Sequence, residues 1–167
     1  MDEFAARGIV LAVEGVERPA MFQLKPDPHA YDDRHHLLLR GKGGLVEGER
    51  LKVSLGESVV LGRSRLCQLS LKKSVRYLGC EGEERRVLRD GLSFRAVSRR
   101  HCRVTYLAPD LVEVVNLSPN GTFLDGHRVD RLVIRDARSH PHEIRLGTHG
   151  DVVSLECGSV EVSAESA

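Results

Sequence analysis

The sequence predicts an all-β protein, an antiparallel sandwich or barrel, on three observations. Short runs alternate apolar and polar residues at period two, as in Arg50-Leu-Lys-Val-Ser-Leu55. Clusters of Gly, Pro, Asn and Asp separate these runs at regular spacing. No long apolar stretch repeats at helical period. About ten or eleven short strands result, which suits a sandwich.

Taken in order, residues 1–34 read as a mostly irregular N-terminal extension with mixed charge, a Pro-rich stretch at Lys25-Pro-Asp-Pro-His29 and a short strand at Gly8 to Val13. Residues 35–163 read as the domain and 164–167 as a tail. Strands are expected at His36 to Arg40, Arg50 to Leu55, Ser58 to Leu61 and Gln68 to Leu71. The rhythm then breaks over a charged insertion, about residues 72–96. Within it Glu83 to Arg89 has helical spacing, with Glu84–Leu88 and Arg85–Arg89 one turn apart. Strands resume at His101 to Leu107 and Leu111 to Val115, joined at Ala108-Pro-Asp110. Thr122 to Leu124 and His127 to Val129 form a tight hairpin whose Asp125-Gly126 turn fits type I′. His142 to Leu146, Asp151 to Glu156 and Val160 to Val162 are the last strands.

Length and composition bound the function. A chain of 167 residues suits one domain with extensions. Apolar residues are 41% of it, but aromatics are 4% and Trp is absent, so the core must rest on Val, Leu, Ile and Ala. The four cysteines form no C-x-x-C pair, so neither a zinc site nor any other metal is expected, and no cofactor motif occurs. Cys102 and Cys157 read as small buried hydrophobes. His35-His36 and His140-x-His142 lack companions and read as exposed. Asp2 and Glu3 are followed by no signal-peptide apolar region, and Ile9 to Val13 is too short to span a bilayer. A cytoplasmic protein with free thiols and no membrane partner is the expectation.

Net charge is +1, yet Arg63 to Arg103 holds twelve Lys/Arg against four Asp/Glu. That local excess is either a solvated loop region or an anion-binding face. Arg outnumbers Lys twenty to five, and Arg suits bidentate recognition of oxyanions. Aromatics are few among the basic charges, only Tyr77 and Phe94 between Arg63 and Arg103, which argues against a platform for single-stranded nucleic acid.

Three loop motifs lie between expected strands. They are Leu61-Gly62-Arg63-Ser64, Val97-Ser98-Arg99-Arg100-His101 and Asn116-Leu-Ser118-Pro-Asn120-Gly121-Thr122. Arg63 offers a guanidinium fork, and Ser98 and Ser118 offer short hydroxyls. Asn120 offers amide donors and an acceptor, suited to an extended peptide backbone. A phosphate dianion needs several donors converging from different directions. Each such bond is worth roughly 1.5–3 kcal/mol net, so two or three can separate a phosphorylated peptide from an unmodified one.

These motifs resemble the forkhead-associated (FHA) domain family, whose order is Gly-Arg, then Ser-x-x-His, then a loop ending Asn-Gly-Thr. The resemblance covers about residues 36–162. It implies an eleven-stranded antiparallel β-sandwich of the SMAD/FHA-like type, carrying here the charged insertion and the N-terminal extension. Its apical loops would bind phosphothreonine peptides. Carried over by position, Arg63 and Ser98 contact the phosphate, with Arg99 and Ser118 as further contacts, and Asn120 holds the peptide backbone. Gly62, His101, Gly121, Thr122 and Asp125 support the site, the two glycines by permitting backbone turns. Three departures stand out. Pro119 replaces a residue that often carries a hydroxyl. Asp125 replaces the usual Asn, loses an amide donor and adds negative charge at the rim. The segment between the first two motifs is longer than the family pattern.

The implied function is a phosphothreonine-dependent peptide-binding module in bacterial Ser/Thr kinase signalling, with a Thr-phosphorylated protein or the kinase itself as partner. No nucleic acid is expected, and the motifs leave the oligomeric state open. The alternative is an FHA-fold scaffold that binds its partner independently of phosphate. An enzyme is not expected: a Ser and His three apart entering a strand do not usually meet as nucleophile and base, and no Gly-x-Ser-x-Gly elbow occurs. No Ser or Thr precedes Ser54, and no Thr follows Val162, so the ligand is expected in trans.

Overall fold

The structure, a computed structural model, describes residues 9–11 and 35–159. Twelve strands lie among them. In chain order they are β1 (Ile9–Leu11), β2 (His35–Gly43), β3 (Arg50–Ser54), β4 (Ser58–Gly62), β5 (Leu69–Ser70), β6 (Cys102–Ala108), β7 (Leu111–Asn116), β8 (Thr122–Leu124), β9 (His127–Val129), β10 (Arg131–Ile134), β11 (His142–Leu146) and β12 (Val152–Ser159). They form two six-stranded sheets, in the orders β1-β10-β7-β6-β4-β5 and β3-β2-β12-β11-β8-β9. All pairs are antiparallel except β4–β5, where Leu61 and Gly62 align with Leu69 and Ser70.

Period-two patterning builds the core. In β6 the inward residues are Cys102, Val104 and Tyr106; in β11 they are His142, Ile144 and Leu146. Leu37, Leu39, Val59, Leu61, Val112, Val114, Leu132, Ile134, Val153 and Leu155 are fully buried with them. With no Trp, Tyr106 is the largest fully buried side chain among the described residues, and its hydroxyl donates to Pro109 O at 3.2 Å.

The insertion is helical. A 3-10 turn (Leu71–Lys73) leads into α1 (Val75–Gly79), α2 (Gly82–Asp90) and α3 (Leu92–Ala96). Ser74 starts α1, its hydroxyl accepting from Tyr77 N–H at 3.2 Å and donating to Leu71 O at 2.6 Å. In α2, Glu83 and Glu84 lie in the first turn and Arg89 in the last, the order the helix dipole favours. No residue of α2 is buried. The insertion docks through Tyr77 and Phe94, both buried, whose rings stack with centroids 5.8 Å apart and planes 7° apart. It is also tied to the β2–β3 turn: Val75 N–H donates to Glu49 Oε1 at 2.7 Å, and Arg76 pairs with Glu47 at 3.0 Å.

Several elements differ from expectation. β10 was not anticipated. It follows β9 with only Asp130 between them, so no Gly or Pro separates the two. β12 is continuous through Glu156–Ser159, pairing with β2 to its end, and the expected strand at Val160 to Val162 lies outside the described residues, as does the tail. Ile9–Leu11 is a strand of the sandwich itself, pairing with Ile134–Leu132 of β10; the rest of the extension lies outside the described residues. His142 is buried rather than exposed, because the alternation of β11 turns it inward with Ile144.

Candidate functional site

Three connections meet at one end of the sandwich: the residues after β4, the residues entering β6, and the loop from β7 to β8. Backbone bonds fasten the first two. Arg63 N–H donates to Ser98 O at 2.9 Å, Ser64 N–H to Arg99 O at 3.0 Å, and His101 N–H to Leu61 O at 2.8 Å. Arg63 and Ser98 are thereby held side by side. Gly62 makes the approach possible: a Cβ there would lie 2.4 Å from Arg99 O. Its φ is not in the left-handed region. The glycine is needed for spacing, which corrects the expectation that it serves a turn. Gly121, at φ +85°, does serve one.

His101 joins the second loop to the third. Its Nδ1 accepts from Ser98 N–H at 3.0 Å, so Nε2 carries the proton and donates to Gly121 O at 2.7 Å. Burial holds its pKa below the ordinary 6.5, against a smaller opposite effect of the Gly121 bond. Both ring nitrogens are committed to backbone, and neither faces the Ser98 hydroxyl. The pair therefore lacks the geometry of a nucleophile and its base.

The third loop is organised by Asn116. Its Oδ1 accepts from Ser118 N–H at 3.1 Å and from Thr122 Oγ1 at 2.8 Å, and its Nδ2 donates to Ser118 O at 2.9 Å. Thr122 is fully buried and supports the loop from inside. Asn116 was not singled out among the site residues; its place at the head of the loop motif was the available signal. Ser118 is also buried, with Oγ 2.5 Å from Ser98 Oγ and accepting from Asn120 N–H at 3.1 Å. Asn120 is exposed and donates one amide hydrogen to Ala96 O at 3.0 Å. That leaves its other amide hydrogen and Oδ1 for a peptide backbone.

Arg63 is half-buried, and its guanidinium lies 5.3 Å from the centroid of the Phe94 ring. The insertion thus positions the arginine through the ring's negative face. No sequence motif pointed to Phe94. Arg99 is exposed beside Arg63, and both line one cationic groove.

Asp125 is not at the rim. It has φ 49° and begins the turn completed by Gly126 at φ 83°. Its Oδ2 lies 2.7 Å from Nδ1 of buried His142, and its Oδ1 accepts from Glu143 N–H at 2.9 Å. Its carboxylate is therefore mostly covered and held by β11. Pro119 is exposed, and its carbonyl accepts from Arg128 at 3.5 Å.

Among the described residues no group of three or more His, Cys, Asp or Glu could hold a metal ion, and no helix is long and apolar enough to cross a membrane. The four cysteines are free thiols. Cys102 is fully buried and Cys157 partly so.

Comparison with known proteins agrees with this architecture. The family model for the FHA domain matches residues 59–155, more than half of the chain. No curated protein matches it. Among solved structures, the FHA domain of the CT664 protein from Chlamydia trachomatis is similar at 18% identity and TM-score 0.50, covering 72% of this chain and 96% of that one. The FHA-1 domain of Mycobacterium tuberculosis Rv1747 is similar at 17% identity and TM-score 0.50, covering 75% and 98%. At these identities the two share the fold with this chain.

Proposed function

The chain belongs to the FHA domain family, a family of binding modules, and from that premise we propose that it binds a phosphothreonine peptide in trans through Arg63, Ser98 and Asn120. One observation carries the reading. The backbone ladder between Arg63–Ser64 and Ser98–Arg99, with the His101 bridge to Gly121, brings a guanidinium, a hydroxyl and an amide to one end of the sandwich. In this role Arg63 pairs with the phosphate, Ser98 donates a hydroxyl hydrogen to it, and Asn120 holds the main chain beside the phosphothreonine. Arg99 adds charge, and Ser118 acts through Ser98. The ligand is a Thr-phosphorylated cytoplasmic protein or a Ser/Thr kinase, and the role is signalling without catalysis.

Fluorescence anisotropy with a phosphothreonine peptide library tests this. Binding should vanish on phosphatase treatment and fall at least tenfold in Arg63→Ala, the equivalent of one charge-assisted bond. Binding that survives both changes would refute it.

A phosphate-independent scaffold is favoured by one observation: Val75, Val87 and Leu92 are exposed apolar side chains on the insertion. A partner retained after phosphatase treatment and in Ser98→Ala would establish that role instead.

A further inference from the structure

The helical insertion and the Arg63 and Arg99 loops line one cationic groove. A groove of about 1140 Å³ runs from Arg63 and Arg99 along the insertion, and Arg65, Lys72, Arg85, Arg86, Arg89 and Arg95 line it. Among the described residues Asp90 is the one acid in its walls. The floor is the Tyr77–Phe94 stack, which carries one guanidinium on each ring: Arg63 at 5.3 Å from Phe94 and Arg85 at 5.1 Å from Tyr77. Among the described residues, Arg65, Arg86, Arg89 and Arg95 form no ion pair, and the buried Nε of Arg85 has no hydrogen-bond partner. Desolvation lowers the Lys72 pKa, and Arg63, Arg89, Arg65 and Arg99 lower it further.

One phosphothreonine carries at most two negative charges at neutral pH. It would occupy Arg63 and Arg99 and leave most of the cationic wall uncompensated. Gathering that many like charges without a counterion costs stability, so the groove is built for a further anion. Its composition selects the kind. Arginine forks match the oxygens of a phosphoryl group in bidentate pairs, and the groove holds six cations besides Arg63 and Arg99.

Building on the phosphothreonine reading, we infer that this groove takes a second phosphoryl group of the same peptide, so that the preferred ligand is a doubly phosphorylated segment. The insertion then acts as a specificity element, separating clustered phosphorylation from a single event.

The test uses the full chain, fluorescence anisotropy and four peptides of one sequence. These carry the phosphothreonine alone, the phosphothreonine with a second phosphorylated residue, the second phosphoryl group alone, and the phosphothreonine with Asp-Glu at the second position. The doubly phosphorylated peptide should bind at least tenfold more tightly than the singly phosphorylated one, the equivalent of one added charge-assisted bond. The peptide lacking the phosphothreonine should bind weakly. In the variant R86Q/R89Q/R95Q, all exposed positions, the gain should fall to within about twofold, while the singly phosphorylated peptide loses only the about two- to threefold that weaker long-range steering accounts for. Equal affinity for both phosphopeptides, or a gain that survives in the variant, would overturn the inference and leave the phosphothreonine reading standing. An equal gain from Asp-Glu would overturn the phosphoryl assignment. Single-stranded DNA bound as tightly as the doubly phosphorylated peptide, with a steep salt dependence, would overturn it in favour of a polyanion surface. Failure of the phosphothreonine peptide and the doubly phosphorylated one alike would refute both readings.

Discussion

Ser118 has its hydroxyl committed on two sides, to Asn120 N–H and to Ser98 Oγ. Only one arrangement of protons suits an incoming phosphate. If Ser98 donates to Ser118, its outward side offers lone pairs and repels the anion. If Ser118 donates to Ser98, the Ser98 hydrogen is free to point at the phosphate. Ser118→Ala removes the donor that favours the second arrangement and an acceptor for Asn120. A loss of about tenfold in phosphopeptide affinity is expected from that, measurable by anisotropy; unchanged affinity would show that Ser98 needs no such orientation. The motif residues were legible in the sequence because the chemistry needs those types. This hydroxyl pair was not, because positions 98 and 118 meet only when two separate loops fold together. His101 carries a second expectation. Its folded pKa lies below 6.5 because burial disfavours the cation, so as pH falls through 6.5 the unfolded state takes up the proton first and the folded state loses stability. Imidazole nitrogen NMR should give a neutral ring with hydrogen on Nε2 at pH 6.5; a cation at that pH would contradict the bridge to Gly121. Asp151 has the opposite sign. Burial pushes its carboxyl up to about 6, against bonds from Val46 and Leu45 N–H. Its contribution therefore weakens as pH rises from the ordinary carboxylate range through about 6.

At the scale of elements, alternation was a sound guide for most strands that a turn residue ended. β6, β7, β8, β9 and β11 fall within about a residue of expectation. It failed for β2, which runs on through Gly41 to Gly43, for β10, which no glycine or proline sets apart from β9, and for β12, whose Cys157-Gly158 end pairs with Leu37 and His36 instead of turning. The helical spacing of residues 83–89 was visible, and α2 covers it. The two helices beside it were not visible, since five residues hold too few turns for a period to emerge. Those short helices nevertheless bring Tyr77 and Phe94 together and put Phe94 under Arg63. Phe94→Leu keeps an apolar side chain in place and removes the ring face. Phosphopeptide affinity should drop about two- to fivefold, from the 0.5–1 kcal/mol of a partly exposed cation–π contact. The thermal midpoint, recorded by circular dichroism, checks that the fold survives. A full loss of folding would make Phe94 a core residue first, and full retention of affinity would show that Arg63 needs no ring beneath it.

Over the whole molecule, the sandwich supplies a rigid end and the insertion supplies charge. The excess of basic residues between Arg63 and Arg103 was countable from the sequence, but a count cannot say whether charges disperse or converge. The fold decides that by returning the insertion against the β2–β3 turn and placing its arginines in one groove with Arg63 and Arg99. Convergent charge steers an anionic peptide from a distance, so association should slow as ionic strength rises, with the Debye length falling to about 8 Å at physiological salt. Stopped-flow association rates at several salt concentrations measure this, and rates independent of salt would mean that the groove contributes no steering. The central claim is where the phosphothreonine sits, and amide chemical-shift mapping of the full chain with a phosphothreonine peptide tests it most directly. The account predicts that the largest shifts fall on Arg63–Ser64, Ser98–Arg100 and Ser118–Gly121, and that they disappear with the unphosphorylated peptide. Shifts centred on another face of the sandwich, or the same shifts without the phosphate, would contradict it.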